Sequence, residues 1–296
     1  MDELTTLAPV LHQARRVLAA AGCDTPDLDA EVLLSHVLQR PRAWLYAHPS
    51  YLLDAEQVTA FQTLVRRRAA REPVAYLTGH KEFFGLDLLV TPDVLIPRPE
   101  TEGLVELILE WAAGRMHDLL AADVGTGSGA IAVGLAVHLP HIRVVAGDIL
   151  APALAVARRN VIKHRVEPRV LCVQADLLPP CSVPFDLIVS NPPYLCQAEL
   201  AAAAPEVVNW EPRRALDGGV DGLAVIRSLL AAAAARLHPH GMLAVEIGAT
   251  QGQPVLELAR RWFPRARIEI RQDYAGRDRI LVVDQIRARI IRIGHG

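Results

Sequence analysis

From Leu104 onward, short apolar runs alternate with stretches of helical periodicity, and this alternation constrains the fold more than any other feature of the chain. The strand candidates are residues 119–124, 143–147, 170–174, 185–190 and 242–247. Strands joined through helices run parallel, and a parallel sheet has to be covered on both faces. Residues 267–270 and 279–283 are separated by a polar loop too short for a crossover helix, so they are expected to pair antiparallel. The expected fold is therefore α/β, with a mostly parallel seven-stranded sheet that closes in an antiparallel hairpin. At 296 residues, 51% apolar and 22% charged, the chain has enough core for such a domain and about one more.

The additional domain is expected at the N-terminus, over residues 1–75. Leu7, Val10, Leu11, Ala14, Val17, Leu18 and Ala21 keep helical spacing before Gly22. A second helix is expected from Thr25 as N-cap and Pro26 at the first helical position, with Leu33, Leu34, Val37 and Leu38 as its stripe. A third runs from Asp54 through Val58, Phe61, Leu64 and Val65 into Arg66, Arg67 and Arg68, a basic run read as a solvated helix end. The result is a small helical bundle. Residues 76–100 read as a β-hairpin linker turning at Phe83-Phe84-Gly85, residues 101–285 as the sheet domain, and 286–296 as a tail without a clear role. The complete layout resembles that of the Rossmann-like class I methyltransferases.

Charge and composition exclude several classes. A formal net charge of −2 provides no global basic field for a stable nucleic-acid complex. The four cysteines, Cys23, Cys172, Cys181 and Cys196, have neither metal-ligand spacing nor the density of a disulfide scaffold, and no metal is expected. Apolar runs fall short of the roughly 18 residues of a membrane span, and the acidic start is unlike a secretory leader. A cytoplasmic monomer without membrane association is expected.

The first expected strand ends in Asp123-Val-Gly125-Thr126-Gly127-Ser128-Gly129, a turn in which glycines let the backbone approach a ligand. In a dinucleotide fingerprint the third glycine comes three residues after the second; here Gly129 follows Gly127 by two, which weakens that reading. Asp148 ends the next strand, 23 residues after Gly125, where a carboxylate can accept both hydroxyls of a ribose; its bland alternative is a helix cap. Asp176 ends the third strand as a candidate acceptor for an adenine amino group or as a solvated acid, and Leu177 would offer the purine an apolar face.

Ser190-Asn191-Pro192-Pro193-Tyr194 ends the fourth strand and is the most specific signal present. Two prolines fix φ and stop the strand, so the Asn191 side chain and the Pro192 carbonyl can act as a rigid pair of acceptors. Amide and exocyclic amino nitrogens are weak nucleophiles because their lone pair is delocalised. Accepting hydrogen bonds from both N–H groups aims such a nitrogen at the methyl of a sulfonium, with Tyr194 as an aromatic wall. The motif is shared by adenine-N6 and protein-glutamine methyltransferases. It therefore implies S-adenosyl-L-methionine as methyl donor and S-adenosyl-L-homocysteine as product, but leaves the acceptor open.

The flanking stretches choose between acceptors. Residues 94–102, with Arg98-Pro99-Glu100-Thr101-Glu102, and 211–219, with Glu211-Pro212-Arg213-Arg214-Ala215, closely resemble the bacterial peptide chain release factor glutamine N5-methyltransferases, the PrmC or HemK family. The resemblance also covers the glycine turn and residues 273–279 and runs nearly end to end. It implies as substrate the glutamine of the Gly-Gly-Gln motif in class 1 release factors, with the helical domain helping to hold the factor. Cofactor contacts would fall on Gly125 to Gly129, Asp148 and Asn191, and glutamine contacts on Asn191, Pro192, Pro193 and Tyr194. Many family members carry an aromatic where this chain has Leu177, which leaves adenine an apolar contact without ring stacking. A glutamine methyltransferase acting on a ribosomal protein, or a DNA adenine-N6 methyltransferase, stands as the alternative.

Overall fold

The computed structural model describes residues 5–284 apart from Met116. They form two compact units: the chain up to His80 together with 204–210, and 81–203 together with the chain from Glu211 onward. The expected tail, 286–296, lies outside the described residues.

In the first unit, strand β1 (Thr5–Thr6) leads into α1 (Leu7–Ala20), whose Leu7, Val10, Leu11, Ala14 and Leu18 are buried as their spacing requires. Helix α2 (Pro26–Leu38) follows, then α3 (Arg42–Ala47), strand β2 (Leu52–Leu53), α4 (Ala55–Ala69) and α5 (Val74–Thr78). The short α3 and α5 carry too few turns to show a periodicity. Asp54 caps α4: its Oδ1 accepts the Gln57 N–H at 2.8 Å while the Gln57 side chain accepts the Asp54 N–H at 3.2 Å. The basic run at the end of α4 departs from expectation, because Arg68 is only 6% exposed. Its guanidinium donates to Asp29 at 2.7 Å and to Glu206 at 2.9 Å, and Arg71 donates to both Glu206 oxygens at 2.6 and 2.7 Å. A buried arginine needs such partners, since breaking one would leave a charge stranded in the core. The same bonds hold segment 204–210 to this unit.

The second unit begins at Lys81, one residue into a hairpin of β3 (His80–Phe83) and β4 (Leu86–Leu89). Its turn residues Phe84 and Gly85 both have positive φ, 52° and 73°, as a two-residue hairpin turn demands. Phe83 and Leu88 are fully buried in this unit's core. The chain continues through α6 (Pro99–Ala112), β5 (Leu119–Val124), α7 (Ala130–His138), β6 (Ile142–Asp148), α8 (Ala151–Lys163), β7 (Val170–Gln174) and β8 (Phe185–Ser190). It then passes α9 (Gln197–Ala202) and α10 (Pro205–Trp210), the latter within the first unit, and ends with α11 (Ala224–Arg236), β9 (Leu237–Glu246), α12 (Gly252–Trp262), β10 (Arg267–Gln272) and β11 (Asp278–Asp284).

The seven strands are ordered β10-β11-β9-β8-β5-β6-β7, with β11 antiparallel to both neighbours and β5 to β9 parallel. Successive residues face opposite layers: Leu119 and Ala121 join one core with α6 and α7, whereas Ala122 and Val124 join the other with α11 and α12. The order reverses direction at β5, so the loops after β5 and β8 diverge to opposite faces and leave a crevice at the carboxyl ends of these strands.

Candidate active site

The crevice is a cavity of about 540 Å³ within the second unit, a size suited to a small-molecule ligand. Its walls bring together, from separate loops, Gly125, Thr126, Gly127, Ser128, Asp148, Asp176, Leu177, Asn191, Pro192 and Pro193. Val124 and Ser190 are register partners on adjacent parallel strands, and the Ser190 hydroxyl donates to the Val124 carbonyl at 2.7 Å. That bond locks the glycine turn and the Asn-Pro-Pro segment side by side.

The turn after β5 has a left-handed backbone at Gly125 (φ 72°) and Gly127 (φ 55°), and its Gly125 and Thr126 N–H groups both donate to the Gly147 carbonyl at 2.9 Å. A Cβ at either glycine would meet no atom within 4 Å. The protein therefore leaves room for a ligand against this backbone. Gly129 serves a different purpose, because a Cβ there would stand 3.3 Å from the Cα and Cβ of Ala157; it is a packing glycine between the turn and α8 and does not line the cavity.

Asp148 takes the Gly127 N–H on one oxygen and the Leu150 N–H on the other, each at 2.9 Å. It thus stiffens both loops, and a carboxylate with about four acceptor sites retains two for a ligand. Asp176 is exposed at the cavity rim, and Leu177 beside it holds φ 61°, an uncommon backbone for a branched residue that turns the chain after β7. Arg98 also lines the cavity, and its ion pair with the buried Glu211, which accepts the Ile96 N–H at 3.3 Å, joins the two flanking stretches noted in the sequence.

Asn191 is oriented by its own hydrogen bond: Nδ2 donates to Thr101 Oγ1 at 3.0 Å, which leaves Oδ1 as the acceptor available to a ligand. The ring of Tyr194, expected as a cavity wall, packs instead on the second core, and its hydroxyl makes a long bond of 3.4 Å to Glu246. A phenolic hydroxyl turned toward a core takes a partner there, and Glu246 accepts it. Burial and the neighbouring carboxylate push the Tyr194 phenol up.

Three participants escaped the sequence reading: Thr101, Glu246 and Asp123. Thr101 stood unremarked inside the 94–102 stretch, while Glu246 was visible as an acid ending an apolar strand. Asp123, fully buried at the end of β5, accepts the Thr126 hydroxyl at 2.6 Å and the Ala132 N–H at 3.2 Å on one oxygen, while its other oxygen is buried without a partner. Asp123 does not line the cavity, and its two bonds brace the glycine turn from behind.

Burial pushes the Asp123 carboxyl up to about 7 from 3.8, against the lowering effect of its two hydrogen bonds. A raised carboxyl favours the folded state in its neutral form, so its contribution is complete below the unfolded value and is lost as pH rises through 7. Between pH 5 and pH 8 the wild type is expected to lose about 2 to 3 kcal/mol through this group, and Asp123→Asn to remove that slope. Urea unfolding of both proteins at the two pH values checks it; parallel losses would show that Asp123 is not responsible.

The fold and the crevice define a class I methyltransferase. The model of the methyltransferase small domain matches residues 105–220, and that of the PrmC N-terminal domain matches residues 9–79. The release factor glutamine methyltransferase of Moorella thermoacetica is 46% identical over 93% of this chain and 96% of its own length. That of Geobacter sulfurreducens is 45% identical over 88% and 90%. The catalytic domain of hMettl16, crystallised with an RNA hairpin, shares the fold alone, with TM-score 0.53 and 16% identity over 80% of this chain and 86% of that one. The chain belongs to the release factor glutamine methyltransferase family.

Proposed function

We propose that this chain methylates the side-chain amide nitrogen of the glutamine in the Gly-Gly-Gln motif of class 1 peptide chain release factors, with S-adenosyl-L-methionine as donor and S-adenosyl-L-homocysteine as product. The observation that carries the reading is the orientation of Asn191, whose Nδ2 is committed to Thr101 so that Oδ1 can accept an amide proton. Pro192, buried and rigid, supplies its carbonyl as the second acceptor.

Gly125 to Gly127 would hold S-adenosylmethionine, with Asp148 on its ribose and Asp176 and Leu177 at its adenine, and it would supply an electrophilic methyl. The protein's work lies on the nucleophile. The two acceptors hold both amide protons in one plane and direct the nitrogen face toward the methyl carbon. As the nitrogen takes the methyl, the donor's carbon–sulfur bond would break and the amide nitrogen would become cationic. Its protons are then far more acidic than in a neutral amide, so one leaves along an existing hydrogen bond without a strong base. Pro193 and the apolar cavity wall exclude water from the donor.

The test incubates the protein with methyl-labelled S-adenosylmethionine and a release factor, its Gln→Ala loop variant, or duplex DNA. Label on the release factor alone is the expected result. Label on the loop variant or on DNA would overturn the substrate assignment.

A further inference from the structure

Behind the cavity, at the end of β9, lies a carboxylate that no step above uses. Glu246 is 1% exposed, and both of its oxygens face hydroxyls: Thr101 Oγ1 donates to Oε2 at 2.7 Å, and Tyr194 OH to Oε1 at 3.4 Å. Thr101 is also the partner of Asn191. Three elements that share no local sequence, α6, β9 and the loop after β8, thus meet in one hydrogen-bonded chain.

The direction of that chain follows from counting protons. A threonine hydroxyl has a single proton, and at 2.7 Å that proton is given to Glu246 Oε2, which accepts it. Thr101 therefore turns a lone pair to Asn191, which can answer only through its NH₂ group. Reversing any bond reverses them all: a donor at position 246 would let Thr101 donate to Asn191, and the amide would turn its NH₂ to the cavity, where it repels an amide N–H. We infer that Glu246 is a positioning residue that, through Thr101, fixes the Asn191 side chain with its carbonyl toward the methyl acceptor. The inference rests on the function proposed above.

Two features support a role in orientation over one in packing alone. Replacing a buried acid at this place by an apolar residue would suit the surrounding core, because charge burial is costly. And Glu246 touches no cavity surface, whereas Thr101 lines it, so the carboxylate acts on a ligand only through the hydroxyl. Burial, the largest influence, raises the Glu246 carboxyl; of the charged groups facing it, Arg279 on the neighbouring β11 favours its ionised form and Glu100, at the start of α6, opposes it.

The test compares Thr101→Val, Thr101→Ser and Glu246→Gln with wild type in steady-state transfer to a release factor, with S-adenosylmethionine affinity measured separately. Thr101→Val, nearly isosteric, is expected to lower kcat about tenfold to a hundredfold with the donor Kd within about twofold. Thr101→Ser should restore most of the loss. Glu246→Gln, able to donate or accept, should lower kcat and flatten the acid limb of its pH profile. Wild-type kcat in Thr101→Val, a parallel loss of donor binding, or a serine variant as poor as the valine one would overturn the inference. A second readout needs no substrate: the isotope-labelled side-chain amide resonance of Asn191, assigned by its loss in Asn191→Ala, is expected to move in Glu246→Gln, and an unmoved resonance likewise overturns it. Absence of transfer by the wild type would instead sink the functional reading, with the resonance still deciding the role of Glu246.

Discussion

Asn191→Ala is expected to lower kcat for methyl transfer by about two to three orders of magnitude, the loss typical of removing one preorganised polar partner of a reacting group. The amide nitrogen being methylated has little nucleophilicity of its own, so the rate depends on holding it with its face toward the methyl carbon. In the proposed mechanism Asn191 supplies one of the two acceptors, and alanine has none. The effect on folding should be small, because the side chain is half-buried and makes one hydrogen bond, to Thr101. Thermal unfolding is expected to change by no more than a few degrees, equivalent to about 1 kcal/mol. Turnover by the variant within about tenfold of wild type would remove Asn191 from the mechanism.

Gly222→Ala should be nearly as damaging, although Gly222 lies outside the motif. Its φ is 73°, and a Cβ there would stand 2.3 Å from the Tyr194 carbonyl oxygen and 2.5 Å from Gln251 Nε2. That contact is the back of the reaction loop: Gln251 Nε2 donates to the Tyr194 carbonyl at 2.8 Å while Gln251 Oε1 accepts the Gly248 N–H at 2.9 Å. On the following residue, Leu195 N–H donates to the Leu216 carbonyl at 3.0 Å and the Leu195 carbonyl accepts the Gly218 N–H at 2.9 Å. The alanine methyl forces this lacing apart and displaces the motif. A stability loss of roughly 1 to 3 kcal/mol is expected from the clash and the left-handed backbone. A fall in kcat of about tenfold to a hundredfold should accompany it at temperatures where the variant remains folded. Denaturant titration and kinetics on one preparation separate the two effects; full activity would mean that the loop tolerates displacement.

Local pattern was sufficient for the larger features. Apolar runs of strand length alternating with helices can be buried in few ways, so the parallel sheet and its antiparallel end are legible in the sequence. The glycine turn, Asp148 and the Asn-Pro-Pro segment were legible too, because each uses residue types whose backbone or side-chain chemistry is hard to replace. The cavity assembles these, with Gly129 and Tyr194 turned to packing and support instead of lining it.

What only the tertiary structure decided depends on pairs distant in sequence. Arg68 reads as one more exposed cation at a helix end until Asp29 and Glu206 arrive from elsewhere in the chain and bury it. Thr101 and Glu246 carry no local signal, since a threonine in a first helical turn and an acid at a strand end are ordinary there. The sequence by itself determined that an asparagine would stand at the mouth of a crevice between β5 and β8. Which way its amide faces was decided by a single hydroxyl proton, shared between residues 145 positions apart that only the closed sheet brings within 2.7 Å.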